Sequence, residues 1–357
     1  MRKRSYLLFA ITLIFLLTAC YQSNHKELSN EIPASSDAVA SFHFIDVGQG
    51  DCTLITDGIT NILIDAGTYE SGSDVCHYLE KLGIKEIDFF IGTHPHDDHL
   101  GGASSLLKLF EVKKVYMNQD TSNAYFYEKL LDVLIKKSIT PVSPQPRKTY
   151  KEGEFEIQFL SPDVDFGDTN DNSLVTMVTY KNIKALFMGD AERKVESYLT
   201  EHNYSLSADI LKIGHHGSRN ATSNEFLYNV NPRVAVIQCG EGNSYGHPHE
   251  ETLHRIKNRQ IPLLRTDTKG TIVLRTDGDK LYSATEEIEL KEDNVSSSEP
   301  SPASPFEVSE GYIGNANSKV FHMSSCPNLP SQNNRINFSN RTDATDSGYK
   351  PCGNCNP

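Results

Sequence analysis

The chain has 357 residues, enough for two domains or for one large domain with an appendage. Hydrophobic residues make up 38% and charged residues 23%, which supports a packed core and excludes wholesale disorder. The formal net charge of −13 excludes a generally basic nucleic-acid coat, so any contact with nucleic acid must be local or pass through bound cations.

Arg2-Lys3-Arg4 is a positive leader, the run from Leu7 to Leu17 is almost wholly apolar, and Leu17-Thr18-Ala19-Cys20 closes the segment. The apolar run falls short of the ~20 residues that span a bilayer. With its basic flank it predicts an export signal over residues 1–19, an uncleaved anchor being the alternative. The small residues before Cys20 resemble the lipobox of bacterial lipoproteins. That resemblance implies lipidation of Cys20 and a place on the extracytoplasmic face of the cell membrane. Residues 20–40, rich in Ser, Asn, Glu and Ala, read as a tether.

From residue 41 to 287, short β-branched runs alternate with helical stretches. Strands are predicted at 42–47, 52–56, 61–65, 87–93, 112–117, 155–160, 174–180, 183–188, 210–213, 234–238 and 271–275. Helices are predicted at 73–82, 101–110, 122–138, 191–201 and 249–260. Hairpin-type strand pairs open each half, with helices interleaved, so a layered α/β domain with mixed sheets is expected. Residues 288–310 read as a linker, and residues 311–357 as a small module carrying the last three of seven cysteines.

The most informative stretch is Thr93-His94-Pro95-His96-Asp97-Asp98-His99-Leu100-Gly101-Gly102, between an apolar strand and a glycine-opened helix. Three imidazoles and a carboxylate so close would repel one another if protonated. Around divalent cations they become neutral ligands, which is the physical reason for such a cluster. The pattern His-x-His-x-Asp-His resembles the metallo-β-lactamase superfamily. Ile62-Leu63-Ile64-Asp65-Ala66-Gly67, Phe187-Met188-Gly189-Asp190 and His215-His216-Gly217-Ser218 continue its motif order. The likeness is closer still to the hydrolase domain of ComEC-type competence proteins, through Phe44 to Asp51, Asn172-Ser173-Leu174-Val175 and Tyr245-Gly246-His247-Pro248-His249.

The resemblance implies an αββα sandwich with two divalent metal ions, Zn or Mn, at one edge. His94 and His96 would bind the first. Asp98, His99 and one of His215 and His216 would bind the second; a strand-end geometry lets only one of that pair turn inward easily. Asp190 would bridge the two ions, and Asp65 would orient the ligand loop. Residues 100–189 contain no histidine, and Asn170-Asp171-Asn172 stands where many relatives place one. Asn172 is therefore a possible oxygen ligand, which would favour Mn²⁺ or Mg²⁺ over an all-imidazole zinc site.

Two cations ~3.5–4 Å apart suit phosphodiester hydrolysis, with a metal-bridging hydroxide as nucleophile. Asp98 is the candidate for orienting it, and His247 for contacting the scissile phosphate or protonating the leaving oxygen. A polar turn before the next helix is the alternative for His247 and His249, and Arg219 reads as a solvated surface residue. The expected activity is that of a lipid-anchored DNase or related phosphodiesterase, with DNA or another phosphodiester polymer as substrate and no obligate protein partner. Hydrolysis of teichoic acid or phosphorylcholine esters, and non-catalytic DNA binding, are the alternatives.

In the C-terminal module, His322-x3-Cys326 with Cys352-Gly353-Asn354-Cys355 forms a four-ligand set for one structural zinc ion. A module this short needs such a staple. A Cys352–Cys355 disulfide with Cys326 free is the alternative. The segment resembles small zinc-binding modules like that of the Ada DNA-repair protein, a likeness that favours DNA as substrate. Cys52, Cys76 and Cys239 lie in apolar contexts and read as core thiols.

Overall fold

A computed structural model describes residues 40–283, 286–288, 312–323, 326–331, 334–338, 341–353 and 355. The expected export signal, Cys20, the tether up to residue 39 and the linker beyond residue 288 lie outside them. Among the described residues, no helix is long and apolar enough to cross a membrane. The chain divides into two compact units, residues 1–292 and 293–357.

In the larger unit, β1 (Ala40–Phe44), β2 (Thr53–Thr56), β3 (Asn61–Ile64), β4 (Glu86–Gly92) and β5 (Glu111–Met117) begin one sheet. A second sheet holds β6 (Thr149–Glu152), β7 (Phe155–Phe159), β8 (Thr176–Tyr180), β9 (Ile183–Phe187), β10 (Ile210–Lys212), β11 (Val234–Ile237) and β12 (Leu263–Arg265). The chain then returns to the first sheet through β13 (Ile272–Thr276), β14 (Leu281–Ser283) and β15 (Glu286–Ile288). Strand orders are β15-β14-β13-β1-β2-β3-β4-β5 and β12-β11-β10-β9-β8-β7-β6. Strands joined by turns or loops without a helix pair antiparallel, as in β1–β2–β3 and β6–β7–β8–β9. Where a helix intervenes the pairing is parallel, as in β3–β4–β5 and β9–β10–β11–β12. Both sheets are therefore mixed, as the strand and helix spacing predicts.

Alternation along the strands separates the apolar residues into layers. Phe42, Phe44, Ile62, Phe89, Phe155, Ile157, Phe159 and Phe187 fill the space between the two sheets. Leu54, Leu63 and Phe90 face the other way, with Val75, Leu79, Leu106, Leu107, Phe126 and Leu130 of helices Gly72–Lys81, Ala103–Leu109 and Tyr125–Lys136. Leu186, Leu211, Ala235 and Ile237 do the same with Val195, Leu199, Phe226, Leu227 and Ile256 of helices Arg193–Glu201, Asn224–Val230 and Glu250–Asn258. The result is an αββα sandwich. Cys52, Cys76 and Cys239 lie buried in its outer layers, where burial pushes the thiol of Cys76 up to about 11 and that of Cys239 to about 12.

Three departures from the sequence reading have local causes. The strand expected over 42–47 ends at Phe44, because Asp46 turns out to cap Gly48 N at 3.1 Å. The helix expected over 101–110 is Ala103–Leu109, and a separate single turn, Asp97–Leu100, precedes it across Gly101 and Gly102. Helix Asn224–Val230 went unpredicted; at seven residues it shows barely two turns of periodicity, and Ser223 Oγ caps it by accepting from Phe226 N at 3.2 Å.

The smaller unit contains β16 (Tyr312–Asn315), β17 (Val320–Met323), β18 (Arg335–Phe338), helix Arg341–Asp346 and β19 (Lys350–Pro351), in sheet order β18-β16-β17-β19. Its buried apolar cluster is Phe321, Phe338, Ala344 and Tyr349, with Tyr312 packed against them.

Candidate metal centre

The functional side chains leave the sandwich from strand ends of both sheets. Asp65 follows β3, the 94–99 loop follows β4, Asp190 follows β9, and His215 and His216 follow β10. The loops converge on the Asp190 carboxylate. Its Oδ1 lies 3.2 Å from His99 Nε2 and 3.5 Å from His216 Nε2. Its Oδ2 lies 3.7 Å from His215 Nε2 and 3.8 Å from His94 Nε2. His96 Nδ1 is 3.0 Å from His94 Nε2, and Asp98 Oδ2 is 3.1 Å from His216 Nε2. Donor atoms of Asp98, His99, Asp190 and His216 all lie within 4.8 Å of one another.

His99 Nε2 and Asp190 Oδ1 are buried and make no hydrogen bond, although they are neighbours. Buried polar atoms rarely stay unpaired. A cation between them would satisfy both, so the donor set fits a metal. Asn170 Oδ1 is likewise buried without a hydrogen-bond partner, and Asn170 lines the cleft beside Asp190. The expectation for Asn172 needs correcting. Its Nδ2 donates to Asp120 Oδ2 and Asp165 Oδ1, both at 3.0 Å, and its Oδ1 accepts from Phe166 N at 2.9 Å. The 168–172 turn thus brings Asn170, not Asn172, into the lining of the cleft above the cluster.

A second correction concerns the His215–His216 pair, of which only one ring was expected to turn inward. Both residues adopt positive φ, 46° and 50°, in a tight 3-10 turn that brings both Nε2 atoms to Asp190. His216 joins Asp98 and His99, while His215 stands at the other carboxylate oxygen beside His94.

The rings are held from behind, which fixes their tautomers. His99 Nδ1 donates to Asp65 Oδ2 at 2.8 Å, and Asp65 also accepts from Thr93 N and Thr93 Oγ1, each at 2.8 Å. His216 Nδ1 donates to Gln238 O at 2.9 Å and lies 3.2 Å from Asp51 Oδ1. His215 Nδ1 lies 2.8 Å from Glu192 Oε1. Ser173 Oγ is 3.2 Å from His94 Nδ1 and accepts from Asp190 N at 3.0 Å. Asp51 is in turn paired with the buried Lys212 ammonium at 2.5 Å. The Asp51 loop packs closely on the ligand helix: Asp51 N donates to Asp98 O at 2.9 Å, and a side chain at Gly50 would meet that oxygen at 2.5 Å. Asp51, Glu192, Ser173, Lys212 and Gln238 escaped the sequence reading as site residues. Asp51 had a signal, as the last residue of the motif beginning at Phe44.

These contacts decide the charges. Burial alone would lower His216, yet Asp190 and Asp51 push it up to about 10. His99 is raised in the same way by Asp190 and Asp65. His94, by contrast, is pushed well below the ordinary range by burial and by His99, and stays neutral. Burial would raise Asp98 and Asp190, but His99 and His216 outweigh it and hold both carboxyls well below the usual range.

The cluster floors a cleft of about 460 Å³ whose walls include Gln49, Phe126, Tyr245 and His247. His247 lies with its ring centroid 5.4 Å from that of His215, and its Nδ1 is buried without a hydrogen bond. Burial, then the His216 and His215 charges, push it down to about 4. His249 accepts from Arg219 N at 3.1 Å, and the exposed Arg219 guanidinium lies 3.3 Å from Glu251. Both support the turn rather than the cleft. In the smaller unit His322, Cys326, Cys352 and Cys355 also bring donor atoms within 4.8 Å of one another, with His322 Nδ1 3.3 Å from Cys326 Sγ. None of the three cysteines is disulfide-bonded, so the Cys352–Cys355 disulfide is not formed.

A four-layer sandwich with such a His/Asp cluster at its edge defines a class of metal-binding folds, in general hydrolases. The family model described as Metallo-beta-lactamase superfamily matches residues 45–241, and the chain belongs to that superfamily. It is 29% identical over 301 residues to ComE operon protein 3 of Bacillus subtilis (strain 168), covering 75% of this chain and 38% of that protein. It is 29% identical over 260 residues to Competence protein ComA of Neisseria gonorrhoeae, covering 72% of this chain and 34% of that one. A third relative, Recombination protein 2 of Haemophilus influenzae, is 29% identical over 66% of this chain and 29% of its own length. The chain thus spans well under half the length of these relatives. Among solved structures, the metallo-beta-lactamase fold protein YhfI of Bacillus subtilis aligns with a TM-score of 0.45 at 14% identity, over 66% of this chain and 99% of that one.

Proposed function

We propose that the protein is a metal-dependent phosphodiesterase that cuts nucleic acid, DNA foremost, on the extracytoplasmic face of the cell membrane, held there by a lipid on Cys20. The observation that carries this reading is Asp190: one carboxylate presents separate oxygens to two groups of imidazoles, the arrangement a pair of cations requires. The names of the relatives, with competence and recombination among them, support DNA as the polymer.

His94, His96, Asn170 and Asp190 would hold one ion, with His215 beside them; Asp98, His99, His216 and Asp190 would hold the other. Imidazole with oxygen donors suits Zn²⁺ or Mn²⁺. When bound, such cations lower the pKa of water and neutralise phosphate oxygens. The chain's own residues do the rest. Asp98 is the more exposed of the two cluster carboxylates, its side chain 29% exposed against 3% for Asp190, so it faces the cleft and orients the attacking water. His247 is kept neutral, and added cations only deepen that effect. A neutral ring donates a hydrogen bond to a non-bridging phosphate oxygen, which favours contact with the phosphate over protonation of the leaving group. His322, Cys326, Cys352 and Cys355 would hold one structural zinc ion.

The test is the full chain stripped of metal and titrated with Mn²⁺ or Zn²⁺ against labelled DNA and a chromogenic phosphodiester. Hydrolysis should appear with metal and fall by about a hundred-fold or more in His96→Ala and Asp190→Ala. Binding of DNA with no ester cut under any metal would overturn the reading. For the anchor, Cys20→Ser should abolish lipid labelling and release the protein from the membrane fraction.

A further inference from the structure

The mouth of the cleft carries aromatic surface that the chemistry above leaves unused. Tyr245 lines the cleft and is 66% exposed, its ring stacked on His247 at 5.8 Å and 21°. Tyr125 stands between Ala124 and Phe126, both of which line the cleft, and is 61% exposed. Both rings have neighbours that orient them. Asn243 Oδ1 accepts from Tyr245 N at 3.2 Å and from His247 N at 3.0 Å, and its Nδ2 donates to Gly240 O at 2.9 Å, tying the loop together. Tyr69 packs edge-on against Tyr125 at 5.7 Å, and the Lys129 ammonium lies 5.1 Å from the Tyr125 ring centre. A rigid exposed aromatic ring offers a flat face at little entropic cost.

The charges around the cleft leave its phosphate contacts to the cations of the proposed centre. None of the described residues lining it is Lys or Arg, while Asp97, Asp98 and Asp190 are all present, and the whole chain is acidic. Phosphates of either form would have to be met by the bound cations, so charge does not choose between duplex and single strand; exposed aromatic rings do, because a duplex hides its base faces. A single strand exposes its base faces, and stacking on aromatic rings holds them whatever their sequence. From the positions of Tyr125 and Tyr245 we infer that the cleft takes single-stranded nucleic acid, with unpaired bases flanking the scissile phosphate stacked on these two tyrosines. The inference deepens the phosphodiesterase reading of the same cleft and names its substrate class.

Binding and cutting are measured separately. Fluorescence anisotropy of the full, metal-loaded chain, read with phosphorothioate-linked oligonucleotides that slow cleavage, should show tighter binding to a short single strand than to its duplex or to an abasic strand of equal length. The double variant Tyr125→Ala/Tyr245→Ala should lose about ten-fold or more of that affinity and most of the preference for bases, and Tyr→Phe at both positions should keep both. Equal binding of duplex, of abasic strand, or by the double alanine variant would overturn the inference. In a second arm with Mn²⁺, hydrolysis of single strand over abasic strand should follow the same ratio. Preferential binding of single strands with no hydrolysis of any phosphodiester would sink the phosphodiesterase reading and leave the stacking surface standing.

Discussion

At the edge of the sandwich four of the candidate ligands are held by partners that a metal does not supply: Asp65 behind His99, Asp51 and Gln238 behind His216, Glu192 behind His215, Ser173 behind His94. In the C-terminal unit the four donors His322, Cys326, Cys352 and Cys355 stand beside a core of Phe321, Phe338, Ala344, Tyr349 and Tyr312. The first site is embedded in three apolar layers that exist without it. The second would be the main tie of a unit whose described residues form only that small apolar cluster. On the proposed reading a metal ion would have opposite standing in the two: an occupant in one, a structural element in the other.

Chelation should separate them most sharply. Loss of a structural zinc ion forfeits an apparent ~10 kcal/mol or more of folding energy. The expected result is collapse of the signals of residues 312–355 in a heteronuclear NMR spectrum, while those of the sandwich persist with shifts confined to the cluster. A C-terminal unit that keeps its fold in chelator would break the contrast.

A smaller effect tests whether the sandwich site is held by its own charges. Lys212 and Asp51 are both buried and paired at 2.5 Å. Lys212→Met leaves the Asp51 carboxylate with only the His216 ring and, at 4.0 Å, the His99 ring, and removing one partner of a buried pair costs about 3 kcal/mol. Denaturant unfolding of the metal-free protein should show that loss, and metal affinity at the His216 side should fall by about ten-fold or more. Unchanged stability would mean that the pair holds nothing.

The smallest expected effect lies away from both sites. His43, buried on β1 between Ser41 Oγ and Tyr78 Oη at 2.8 Å each, is pushed down to about 4, by burial first and Arg275 second. Between about pH 4 and the ordinary histidine pKa near 6.5, the unfolded chain binds a proton that the folded one refuses. Stability from this group is thus present above about 6.5 and lost as pH falls toward 4, by at most about 3 kcal/mol. His43→Phe should flatten the slope of stability against pH across that window, equally with and without metal. A variant whose slope matches the parent would show that the sandwich's acid sensitivity resides at the metal site after all.

Much of this was legible in the chain. The layers follow from alternating residues such as Phe42, Phe44 and Phe155, Ile157, Phe159, whose period belongs to each strand alone. The cluster His94, His96, Asp98, His99 is contiguous, and its chemistry needs no tertiary information. Asn170 was harder to separate from Asn172, because the two differ only in which way one turn points them. Lys212 reads in sequence as one polar residue in an apolar strand, and nothing local pairs it with Asp51.

The order of residues alone determined which donors this protein owns and which faces its strands bury, since both depend on near neighbours and on hydrophobic period. Tertiary structure alone decided which atoms meet. It set His215 and His216 on different oxygens of Asp190, delivered Asn170 in place of Asn172, and placed Asp51 between Lys212 and His216. A buried charge must find its counter-charge wherever the fold brings one, and here the partners come from opposite halves of the sandwich.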